Sequence, residues 1–171
     1  CTYIDNWYQN RSTTKQHGRG ERGYNSRMTG EWVSGPETLS EEALKANRCD
    51  LSKDVFDHKL FDDYWQARTP DWSKVAVPLL SAVNWGGQGI HPRGNFEGFV
   101  RAASQQKWLE VHGLEHWTHF YTDYGVKLQK RFFGHFLKGE NTGWDKQPRV
   151  QLQVRHPEEK FVERHEQEWP L

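Results

Sequence analysis

His116 is the residue best placed by type and spacing to do chemistry. It follows a short strand-like run, Lys107–His112, and the loop Gly113-Leu114-Glu115. An imidazole titrates near neutral pH, so a histidine reaching from such a loop into a cleft suits general acid–base catalysis. His112, at the end of the run, reads as structural, and His119 lies three residues beyond His116. Taken together the three histidines invite a metal reading, because zinc sites use closely spaced imidazoles. The H-E-x-x-H pattern, which sets two ligands and a general base on one helix, is absent. Neither a metal nor another cofactor is expected.

A second feature of interest is the glycine-rich turn Asn84-Trp85-Gly86-Gly87-Gln88-Gly89. A Walker loop would need Lys-Ser or Lys-Thr after its last glycine, and the dinucleotide pattern Gly-x-Gly-x-x-Gly is not met. A tight turn that brings backbone close to a ligand accounts for it better. No nucleophile accompanies these residues. The chain has no Gly-x-Ser-x-Gly elbow, and Cys49, beside Arg48 at a helix end, lacks the surroundings of an activated thiol.

The elements that must position His116 and the turn follow from periodicity. Val75–Val83 is a mostly apolar run that contains Pro78. Phe96, Phe99, Val100 and Ala103 then recur at helical spacing, before the run Lys107–His112. Short apolar strands joined by a helix imply a parallel sheet buried on both faces. Ligands gather beyond the carboxyl ends of such strands. The turn after Val83 and the loop after His112 should therefore open onto one site. Upstream, residues 38–48 predict a helix capped by Thr38 or Ser40, and residues 52–68 a second, capped by Ser52 and stopped at Thr69-Pro70. Arg19–Arg22 reads as a solvated charge run. Downstream, Tyr124, Leu128, Phe132 and Phe136 mark a helix that ends at Gly139. Val150–Arg155 alternates apolar and polar residues, which suggests a β module beginning near Pro148.

Composition bounds the function. The 171 residues carry no net charge, so nothing points to nucleic acid. No apolar run approaches the roughly 20 residues of a membrane span, and no signal peptide is visible. The two cysteines, Cys1 and Cys49, fit a thiol-containing cytoplasmic protein better than a disulfide scaffold. Nine tryptophans in so hydrophilic a chain imply packed loops and pocket walls. They also allow a carbohydrate-binding β module, against which the helical content argues. A first residue other than Met and an end at Glu168-Trp169-Pro170-Leu171 read as a piece of a longer protein.

In order along the chain stand Asp63-Tyr64-Trp65, Asp71-Trp72-Ser73-Lys74-Val75, Val77-Pro78-Leu79-Leu80-Ser81, Asn84-Trp85 and Gly113-x-x-His116. Phe132-Phe133-x-x-Phe136-Leu137-Lys138-Gly139, Pro148-Arg149-Val150 and Glu168-Trp169-Pro170-Leu171 follow. This ordered set resembles the CocE/NonD hydrolases, relatives of cocaine esterase and the X-Pro dipeptidyl-peptidases, over about residues 60–171. The resemblance implies an α/β fold, the C-terminal part of an α/β-hydrolase running into a jelly roll. Residues 1–73 would be a helical cap segment, 74–140 the end of the hydrolase core, and 148–171 the start of the β domain. It also implies a Ser…Asp…His triad acting on a small-molecule ester or peptide-like substrate. His116 matches the base, and the nucleophile would lie before Cys1. The chain alone would be inactive.

The family's acid sits in the turn after the first strand, in a Gly-Trp-x-Asp context. Here no carboxylate occurs between Asp71 and Glu97, and Gly86 or Gly87 stands in its place. Asn84, Gln88 or Glu97 would then orient His116, with Trp85 lining the pocket. A relative whose triad has decayed into a binding or structural module would carry the same departure.

Overall fold

The computed structural model describes residues 14–85 and 91–171, without the side chain of His116. The chain forms two compact units, Cys1–Thr69 and Pro70–Leu171, so the break falls at Thr69-Pro70.

In the first unit three short helices follow a turn-rich segment. Helix α1, Glu41–Ala46, is capped by Ser40, whose side chain accepts from the Ala43 amide. Arg19, Arg22 and Arg48 converge on Glu41 at 3.3, 3.4 and 2.6 Å, so the basic run is organised around one carboxylate. The hydrogen bond from Arg48 holds the Glu41 carboxyl below its ordinary range. The single helix expected over 52–68 is two. Helix α2 spans Leu51–Asp57 and α3 spans Asp63–Gln66, capped by Asp50 and Asp62 in place of Ser52. The Asp62 side chain accepts from the Tyr64 and Trp65 amides and meets His58 Nδ1 at 2.6 Å. That local bonding ends one helix and starts the next, and it leaves Leu60 and Phe61 exposed. Cys49 is a free, exposed thiol. No described helix is long and apolar enough to cross a membrane.

The second unit is a four-stranded sheet with helices on both faces. Strands β1, Leu79–Asn84, and β2, Lys107–His112, pair in parallel, Leu79 opposite Lys107 and Asn84 opposite His112. Strand β1 begins only after Pro78, which has no amide to give the ladder. Helix α4, Pro92–Arg101, makes the crossover, with proline in its first turn. Helices α5, His116–Phe120, and α6, Asp123–Lys138, follow β2. Thr122 caps α6, and Gly139 closes it at φ 66°, a left-handed position suited to glycine. The segment 148–171, expected to open a separate module, supplies the sheet's last two strands. Strand β3, Val150–His156, runs parallel to β2, and β4, Lys160–Glu166, antiparallel to β3.

Two cores sandwich the sheet. On the α4 face, Val83, Leu109, Val111, Val150 and Leu152 pack with Phe99. Complete burial of aliphatic side chains of this size stabilises by roughly 1.5–3 kcal/mol each. On the other face Leu128, Phe132 and Trp144 pack with Leu80, Trp108 and Tyr124. Because side chains alternate along a strand, Glu110 and His112 share the α6 face with Trp108.

Candidate functional site

The carboxyl ends of β1 and β2 lie side by side, so the two expected loop tips do emerge together. The Trp85 amide donates to the His112 carbonyl at 2.9 Å, extending the ladder one residue past the strands. Its indole N–H donates to the Gln153 carbonyl at 2.8 Å, which spans the turn across to β3. The ring stands half-exposed, 6.0 Å from Phe96. Asn84 is buried, and its Oδ1 has no partner among the described residues. Gln88, with Gly86 and Gly87, lies outside the described residues. Glu97 is exposed on α4, which covers the sheet face opposite Glu110 and His112.

Beyond β2 the chain turns sharply. The Gly113 amide donates to Gln153 Oε1 at 2.9 Å. A side chain at Gly113 would have its Cβ 2.3 Å from the Phe161 ring. Leu114 takes a φ of 59° and redirects the backbone into α5, which begins at His116. The close approach of α5 to α6 depends on Gly125, where a Cβ would lie 2.3 Å from the His119 carbonyl oxygen.

The sequence alone did not reveal the cluster beneath this loop. Glu110, His112 and His119 are 2, 6 and 9 % exposed. Glu110 Oε2 meets His112 Nδ1 at 2.8 Å, and Tyr124 O–H donates to Glu110 Oε1 at 3.0 Å. A carboxylate only accepts, so Nδ1 of His112 is the donor in this contact. Burial, with Glu110 adding to it, pushes the Tyr124 hydroxyl far up, so it stays a donor. His119 stacks on His112 with ring centroids 4.3 Å apart and planes 13° from parallel. Burial lowers the His119 pKa and the neighbouring His112 lowers it further, against the field of Glu110. The Nε2 atoms of both rings are buried without a partner among the described residues. An aromatic-walled cavity of about 680 Å³ opens between β1, β2, α5 and α6, lined by Leu80, His112, Trp117, His119, Phe120 and Phe133. The signal in the sequence was an acidic residue between Leu109 and Val111 in the middle of a strand.

Glu110, His112 and His119 bring one ligand atom each within 4.8 Å of one another. Their orientation does not suit a metal ion. Near-parallel stacked imidazoles direct their in-plane lone pairs alongside each other, whereas tetrahedral coordination needs them to converge. The spacing His112-x-x-Glu115-His116 also matches the inverted zinc-protease motif. That motif places both histidines on one helix, and here His112 ends a strand.

No protein-family model and no curated protein matches the chain. Among solved structures, a CocE/NonD family hydrolase from Staphylococcus aureus, seen in two crystal structures, shares 38% identity with it at a TM-score of 0.69. The match covers 76% of this chain and 24–25% of that hydrolase, so these residues span about a quarter of the relative's length. Their sheet, crossover helix and the α6 helix belong together with the ordered motifs that run from Asp63 to Leu171, and the chain is a fragment of the CocE/NonD hydrolase family.

Proposed function

We propose that the intact protein is a serine hydrolase that cleaves an ester or an X-Pro-type peptide bond through an acyl-enzyme, and that this chain supplies its base, His116. One observation carries the reading: the Asn84-Trp85 turn and the loop leading to His116 leave adjacent parallel strands at the same end. In this scheme a serine outside the chain attacks the substrate carbonyl. His116 takes the serine proton and then delivers it to the leaving group. Water repeats the cycle on the acyl-enzyme. Trp85 forms a pocket wall, with Asn84 beside it at the end of β1. Residues 1–73 serve as a cap segment, and 148–171 lead into a jelly-roll domain.

Hydrolysis of p-nitrophenyl esters by the intact protein tests this. Wild type should turn over, and His116→Ala should lose activity by at least 10³-fold. Activity surviving that substitution removes His116 from the mechanism. A second reading, a relative with a decayed triad acting as a binding or structural module, is favoured by the missing carboxylate between Asp71 and Glu97. An inactive wild type would select it. The 171 residues alone should be inactive, because they hold no nucleophile elbow.

A further inference from the structure

We propose that Glu110 is the positioning residue of the base: a buried carboxylate that seats the helix beginning at His116 and supplies, from inside β2, the negative charge that the turn after β1 lacks. The inference rests on the reading of His116 as base.

Glu110 is the one buried carboxylate among the described residues. No Lys or Arg pairs with it there; its ion-pair partner is His112. A carboxylate placed in a strand core without a cation costs stability, and such a cost is characteristic of functional regions. What it holds is specific. Through Oε2 it orients His112, and the face of His112 carries His119. His119 lies one helical turn after His116 on α5, so the stack fixes the helix that His116 begins. Through Oε1 it anchors Tyr124, at the start of α6. Gly125 lets the His119 and Phe120 carbonyls settle against that helix. Helix α5, which His116 begins, and helix α6 are thus referred to a single carboxylate.

The charge acts as well as the geometry. The groups facing Glu110 are His112 from β2, His119 from α5 and Tyr124 from α6, with Glu163 of β4 acting on Tyr124 beyond it. None of them is a permanent cation of the Lys or Arg kind. The field of Glu110 reaches α5, where it opposes the burial of His119. A triad acid orients the base and stabilises the imidazolium that forms during acyl transfer. A buried carboxylate behind the helix does the second of these through space and the first through the His112–His119 stack.

The test uses the intact hydrolase with labelled histidines, following the ring of His116 by NMR from pH 5 to 9. In wild type the midpoint should lie above the ordinary value of about 6.5. In Glu110→Gln, which keeps shape and hydrogen-bonding capacity, it should fall by about half a pH unit or more. The acid limb of kcat/KM should move with it, with kcat down about 10- to 100-fold and KM unchanged. Tyr124→Phe, which leaves the charge in place, should shift the midpoint much less than Glu110→Gln. A His116 midpoint unmoved in folded Glu110→Gln overturns the proposal, even if the melting temperature falls. Should that variant not fold, a wild-type midpoint at or below about 6.5 overturns it instead. An intact protein that hydrolyses no ester refutes the proposed function, while the titration still decides the role of Glu110.

Discussion

Tyr124→Phe isolates the hydrogen bond that ties α6 to β2. The change deletes one oxygen from a half-buried ring and leaves packing otherwise intact. It strips the donor from Glu110 Oε1, an atom of a residue only 2 % exposed, previously bonded at 3.0 Å. A hydrogen bond to a charged group is worth about 1.5–3 kcal/mol net, and a buried acceptor left bare lies toward the upper end. A loss of about 2–3 kcal/mol is therefore expected. For a chain of this size each kcal/mol moves the melting temperature by about 2–4 °C, so the midpoint should drop by roughly 5–10 °C. Glu110→Met, close in length and without an acceptor, completes a double-mutant cycle read by thermal or urea unfolding. In that background Tyr124→Phe should cost far less, giving a coupling of at least about 1 kcal/mol. Two substitutions that add to within about 0.4 kcal/mol would show that Tyr124 and Glu110 do not act as a unit, and the account of the buried cluster would fail.

Further outcomes follow from the same region. Gly125→Ala should destabilise by about 1–3 kcal/mol, although alanine is the better helix former by about 1 kcal/mol. The new Cβ would meet the backbone oxygen of His119 at 2.3 Å, and backbone yields only if α5 moves; a neutral or stabilising result in urea unfolding would refute that close approach. The His119 pKa is depressed in the folded state. Its contribution is complete above the unfolded value near 6.5 and is lost as pH falls from there toward the folded value, since the unfolded chain binds the proton first. His119→Phe, which keeps a ring on His112, should flatten stability against pH below about 6.5, and an unchanged slope would count against it. Titration with Zn²⁺ should reveal no sub-micromolar site that is lost in His119→Phe, because the stacked rings do not converge on a metal; such a site would reverse that conclusion.

The parallel pair β1–β2, its crossover helix and the long α6 helix were legible because each has a strong period and a clear stop. Pro78, Pro92 and Gly139 do at the termini what their backbone chemistry requires. The division of 52–68 was not legible, since Val55, Phe56, Leu60 and Tyr64 keep helical spacing across the break. Asp62 as a competing cap decided it, and local side-chain bonding of that kind leaves no periodic trace. Val150–Arg155 was read as a strand, but alternation does not name the neighbour, and β3 joins β2 in parallel. At the candidate site, His116 was singled out by its distance past a strand. The role of Glu110 escaped because its meaning depends on Tyr124 and His119, which reach it only after the chain has turned at Leu114.

The two rims of the sheet are unequal. On one side β4 ends the array with Lys160, Glu163, Arg164 and Glu166, a charged margin that discourages another strand from adding. On the other, β1 has no further strand beside it among the described residues, and Leu79, Leu80, Ala82 and Val83 carry no charge along its length. Its outward amides and carbonyls form a ready template. Held at high concentration without a covering strand, two copies should pair along that rim, and because only one margin accepts, the assembly should close at a dimer instead of growing.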